Sequence, residues 1–147
     1  MAKAFSQTAF SRDPAGCYAL GQILTATALN IDFDGDHGDD DVGFWQCDLT
    51  NHDALTWSDK VYEIFGLPHG SEVRREEAVT RYREHSRGVL ERLRTSAINR
   101  RCGFILDAAI DLDGFTRWIR ILAAPIVEND RVVGLRGLKR ILEPERR

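Results

Sequence analysis

The feature that most limits how this chain can fold is a change of hydrophobic period in its last third. From Cys102 the apolar residues stop recurring at helical spacing and begin to alternate: Cys102, Phe104, Leu106 and Ala108 are interleaved with Gly103, Ile105 and Asp107. That is the two-residue period of a half-buried strand. Asp113–Gly114 supplies a tight turn, and Phe115–Ala124 reads as the next strand, apolar on both faces apart from Arg117 and Arg120. Pro125 begins a break, Glu128–Asn129–Asp130 makes a second turn, and Arg131–Leu138 forms a last strand before the charged ending EPERR. Strands joined by turns this short pair antiparallel. An antiparallel sheet must then cover its apolar face.

The cover lies upstream. Val42–Leu49 and Leu55–Trp57 read as a hairpin across the turn residues Asn51–His52–Asp53. Ser58 is placed to cap a short helix presenting Val61, Ile64 and Phe65, and Gly66 can take the left-handed position that ends it. Glu72–Tyr82 reads as one further helix. A second, from about Ser86 to Asn99, places Val89, Leu90, Leu93 and Ala97 on one side, with Ser86 capping. Glu72–Arg101 holds nine arginines and five acidic residues. Aromatic residues do not interleave with them, so these arginines read as solvated helix faces rather than a nucleic-acid groove.

The N-terminal region carries weaker signals. Residues 1–14 read as a loose tail. From Ala15 to Ile31 the residues Leu20, Leu24, Ala28 and Ile31 recur at three- and four-residue spacing, which predicts an amphipathic helix whose stripe needs a surface. Asp32–Asp41 contains six aspartates and no basic residue. A calcium-loop register starting at Asp32 puts His37 where the glycine belongs and Gly43 where the bidentate glutamate belongs, so the segment reads as a solvated linker. The expected organisation is a tail, helix and acidic linker over residues 1–41, one folded domain over 42–141, and a charged tail over 142–147.

A chain of 147 residues, 43% hydrophobic and with net charge -3, can build one compact core. No stretch approaches the roughly 20 apolar residues of a membrane span. Cys17, Cys47 and Cys102 are odd in number and widely spaced, which fits reduced thiols and a cytoplasmic location. There is no phosphate-binding glycine loop, no HExxH and no GxSxG.

Three segments together resemble the PAS domains of bacterial signalling proteins: GFWQCDL at Gly43–Leu49, LTWSDKVYEIFGL at Leu55–Leu67, and DLDGFTRWIRILAAPIVENDRVVGLRGL at Asp111–Leu138. Trp45, Trp57–Ser58, Phe65–Gly66, Asp113–Gly114, Arg117–Trp118, Gly134 and Gly137 match positions of that pattern. Tyr82-Arg83-Glu84-His85-Ser86-Arg87 departs from it, because the subgroup usually has a His-Pro-Asp-Asp-Arg-like stretch there. The resemblance implies an α+β fold, a five-stranded antiparallel sheet covered by short helices, here preceded by the N-terminal amphipathic helix. It implies a sensory or regulatory role rather than an enzymatic one.

The interior candidates for a ligand pocket are Trp45, Phe65, Phe104, Leu106, Trp118 and Ile119, with Cys47, Arg120 and Arg136 as polar additions. Trp118 and Ile119 cannot both face inward without a bulge. No metal site and no particular cofactor is implied. His85 is the best-placed haem ligand among the four histidines, and no cysteine has the helical context of the flavin-binding branch. Asp48 and Asp107 are the only acidic residues in strand positions that an enzyme on a related cone-shaped fold could use. Expected partners are a second copy joined through the N-terminal helix, an effector such as a kinase or cyclase domain, and a small molecule; nucleic acid and membrane are not expected. A ligand-free interaction module is the competing expectation.

Overall fold

The computed structural model describes residues 5–12, 18–24 and 41–142. Seven strands and three helices follow in the order β1 (Phe5–Arg12), β2 (Tyr18–Leu24), β3 (Val42–Asp48), β4 (Ala54–Trp57), α1 (Asp59–Phe65), α2 (Arg75–Thr80), α3 (Glu84–Arg100), β5 (Gly103–Leu112), β6 (Phe115–Glu128) and β7 (Arg131–Ile141). All strands join one antiparallel sheet, ordered β1-β2-β5-β6-β7-β3-β4. The five strands expected between residues 42 and 141 are all present, in an α+β arrangement with short helices over the sheet.

Alternation along the strands separates the sheet's two faces. Phe104, Leu106, Ala108 and Ile110 of β5 are buried, as are Ile119, Ile121 and Ala123 of β6 and Leu135 of β7. They meet Val61, Ile64 and Phe65 of α1 and Val89, Leu93 and Ala97 of α3 in one core. Two glycines let the helices approach. A Cβ on Gly43 would stand 2.6 Å from a Val61 methyl under α1, and one on Gly21 would stand 2.6 Å from a Leu93 methyl under α3.

The capping expectations resolve differently. Gly66 takes the left-handed conformation at the end of α1, with φ 68°. Ser58 is at the N-cap position, yet its hydroxyl accepts from the Phe44 N–H at 2.9 Å and so ties α1 to β3. Ser86 does not cap α3, which starts at Glu84 after Arg83. Its buried hydroxyl accepts from the Ala109 N–H at 2.9 Å instead, locking helix to sheet. The helix expected over Glu72–Tyr82 is limited to Arg75–Thr80. The chain then turns back so that Tyr82 bridges to Ile110 on β5.

Two expectations are corrected. Residues 18–24 are strand rather than helix, and residues 5–12, expected within a loose tail, are strand as well: β1 and β2 form a hairpin whose β2 pairs along β5. Gly21 and Ile23 are buried at alternate positions, and pairing with an open sheet edge overrides the helical spacing. Residues 15–17 and 25–31 of that expected helix lie outside the described residues, as do most of the acidic linker and the charged tail. A dimer through an N-terminal helix therefore loses its basis at 18–24. Secondly, Pro125 does not break β6, which continues to Glu128. Pairing of β5 with β6 begins at Phe104↔Ala123, so Pro125 lies beyond β5 and faces only Leu135 of β7. There its missing N–H is tolerated as on an edge strand.

Candidate functional site

A cavity of about 70 Å³ lies between the sheet and the segment running from α2 to α3. Its wall is built by strand parity. On β3, Trp45 and Cys47 point inward; on β4, Leu55 and Trp57; on β7, Leu135 and Lys139. The register places Trp45 opposite both Trp57 and Gly137. Gly137 has to be glycine, since a Cβ there would run into the Leu122 carbonyl and crowd the Trp45 ring. Phe104 and Ile121 form the floor, and Ala78, Val79, Tyr82 and Leu90 close the helical side.

Lys139 is the unusual member. It is 8% exposed, and its Nζ sits 5.0 Å from the Phe65 ring centroid, 5.2 Å from Trp45 and 5.7 Å from Trp57. These rings are themselves fixed, with Trp57 stacked on Phe65 at 4.9 Å and Phe65 edge-on to Tyr82 at 5.8 Å. Among the described residues the Lys139 ammonium makes no ion pair, and no side-chain nitrogen is both fully shut from solvent and without a partner, so its small remaining exposure is at the ammonium, toward the cavity. Burial pushes it down from 10.5 to about 7, and the nearby Arg75 charge adds to the fall. Three ring faces thus compensate only partly for lost hydration.

The other cations of the wall are matched. Arg75 of α2 pairs with Glu91 of α3, and Arg94 of α3 pairs with Asp53 at 2.9 Å in the β3–β4 turn. The Cys47 thiol is 3.6 Å from the Asp53 carbonyl. Burial, then the Asp53 charge, push that thiol up, so it stays neutral beside Lys139. Burial likewise raises the Tyr82 phenol. Among the described residues no acidic side chain lines the cavity.

This layout, a short-turn sheet with β5, β6, β7, β3 and β4 side by side and helices over one face, is matched by a family model described as the PAS fold over residues 41–138. The chain belongs to the PAS-fold family. Its general role is accordingly that of a sensory and signalling module rather than an enzyme. No curated protein matches this PAS domain in sequence. It is similar in structure to an RNA-binding light-oxygen-voltage receptor, with TM-score 0.60 and 13% identity over 68% of this chain and 29% of that one. It is also similar to the N-terminal domain of a diguanylate cyclase with PAS/PAC sensor from Marinobacter aquaeolei, with TM-score 0.60 and 18% identity over 67% and 92% of the two chains. A third similar structure is a domain assigned to a light and redox sensing histidine kinase from Haloarcula marismortui, with TM-score 0.61 and 12% identity over 69% and 90%. At such identities the likeness is one of fold.

Of the residues expected to form the PAS pocket, Trp45, Cys47 and Phe104 line the cavity. Phe65 lies one layer behind, against Lys139, and Leu106 is core beside α3. Ile119 takes the inward position on β6, which sends Trp118 and Arg120 to the opposite face. Arg120 there forms a bidentate pair with Asp107, at 2.7 and 2.9 Å. Arg136, out of phase with Lys139, borders a separate surface groove with Phe44 and Gln46. His85, on the first turn of α3, is not among the cavity's lining residues, and a porphyrin is far larger than the space. Asp48 accepts from Thr50 in its own exposed turn, which lowers its carboxyl. Neither acidic candidate therefore reaches the cavity. Among the described residues no group of three His, Cys, Asp or Glu could hold a metal ion, and no helix is long and apolar enough to cross a membrane.

Proposed function

We propose that this PAS domain senses a small molecule held in the cavity behind β3 and β7, and passes its occupancy to an effector. The observation that carries the reading is Lys139: a largely buried ammonium, facing a cavity that no carboxylate lines among the described residues, costs free energy in the empty protein. A bound molecule can offset that cost. The wall is well placed to report occupancy, because α2 and the β3–β4 turn are each joined to α3 by an ion pair at Arg75 or Arg94. A cyclase or kinase partner fits the names of two of the similar structures, which are a diguanylate cyclase and a histidine kinase.

Native mass spectrometry on gently purified protein, with a visible absorption spectrum, tests the reading. A stoichiometric small adduct without a haem or flavin band is the expected result. A clean mass, unchanged after incubation with cell metabolite extract, overturns it. That result favours a ligand-free interaction module, a reading the small volume of the cavity also supports.

A further inference from the structure

We propose that the cavity takes a short-chain monocarboxylate, of acetate or propionate size, whose carboxylate pairs with the Lys139 ammonium. The proposal rests on the sensory reading above and names its ligand class. Charge selects the head group. Among the described residues three cations and no acid line the cavity. Arg75 and Arg94 are already neutralised by Glu91 and Asp53 from outside the wall, and Lys139 alone lacks a counter-charge among the described residues. An anion arriving there gains a charge-assisted hydrogen bond in a desolvated site. A neutral ligand would leave the ammonium unpaired.

Volume selects the size. A closed apolar cavity of about 150 Å³ accommodates benzene. The space here, about 70 Å³, is half of that. A carboxylate with one or two further carbons matches that space more closely than an aromatic acid does. The remaining wall, Trp45, Trp57, Phe104, Ile121 and Leu135, is apolar and suits an alkyl tail rather than a second polar group. A phosphate dianion would find only Lys139 uncommitted among the described cations of the wall, since Arg75 and Arg94 are already paired.

Four titratable groups face Lys139 across the cavity: Cys47 from β3, Arg75 from α2, Tyr82 after it, and Arg94 from α3. The thiol and phenol are both raised by burial and stay neutral near pH 7, and the two arginines are held in ion pairs with Glu91 and Asp53. Lys139 is therefore the group whose protonation controls anion binding between pH 7 and 9.

The test is binding of sodium propionate against propionamide at fixed ionic strength, read by calorimetry and by backbone amide shifts of Trp45, Phe104 and Leu135. Propionate is expected to saturate at one per chain, roughly tenfold or more tighter than propionamide, and to weaken as pH rises from 7 to 9. Lys139→Met should abolish the preference while leaving the protein folded. Equal binding of the two probes, or an unchanged preference in Lys139→Met, overturns the carboxylate assignment and leaves the sensory reading intact. If neither probe shifts those amides, the assignment fails. A copurified adduct in the native mass then decides whether the sensory reading fails with it.

Discussion

Arg120 and Lys139 are cations on neighbouring strands of one sheet, and they occupy opposite environments. Arg120 lies on the face away from the helices. Its guanidinium meets both oxygens of Asp107, and that hydrogen bonding raises it further above its ordinary value. Lys139 lies on the helix-covered face, among three rings and without a carboxylate among the described residues, and is depressed to about 7. The sheet can evidently supply a partner for a cation: the β5–β6 register sets Asp107 directly across from Arg120. Across from Lys139 it sets Gly43 on β3 and Ile121 on β6. The first cation is part of the scaffold. The second has no counter-charge among the described residues, and the proposed carboxylate would supply one.

The largest effect that sharpens this contrast is expected from Lys139→Met. Replacing this largely buried ammonium, which has no ion pair among the described residues, by a thioether of similar length should stabilise the fold by about 2 kcal/mol near pH 7. That corresponds to a rise of roughly 5 °C in Tm. The gain should shrink as pH rises. Unfolded lysine holds its proton up to 10.5 and the folded one only to about 7, so between these values the unfolded chain carries more protons and raising pH favours the native wild type. Cys47 and Tyr82, acids raised by burial, act in the opposite sense at higher pH, so urea titrations of both proteins from pH 7 to 9 give the cleanest comparison. A variant less stable than wild type would mean that Lys139 is a paired structural cation after all.

A smaller effect is expected on the other face. Arg120→Ala should cost only about 0.5–1 kcal/mol, because the Arg120 side chain is 41% exposed and partly exposed pairs are screened. Its loss should leave propionate affinity unchanged. A loss of several kcal/mol, or of binding, would erase the distinction between the two cations.

Much of the scaffold was legible because it rests on local rules. The alternation from Cys102, the Asp113–Gly114 turn and the Gly66 helix end each point to one conformation. The inward positions of Trp45, Cys47 and Phe104 follow from the same alternation. Lys139 was not legible, although a signal existed: in Leu135-Arg136-Gly137-Leu138-Lys139, the apolar Leu135 faces in, so Gly137 and Lys139 do as well, and Arg136 faces out. Lysine at the end of a strand reads as a solvent-facing residue, and only the register against β3 shows it under the helices. Trp118 misled for the converse reason. Its size suggests burial, yet Ile119 next to it holds the inward place. The N-terminal hairpin was hidden because its partner, the edge of β5, lies some eighty residues away in sequence.

The most direct test of the central claim is a pH titration of the Lys139 side-chain resonances by NMR in the ligand-free protein, assigned by comparison with Lys139→Met. The account predicts a midpoint near 7 that moves upward when propionate is bound. A midpoint near the ordinary 10.5 in the empty protein would mean that the ammonium already has water or a protein partner, and would contradict it.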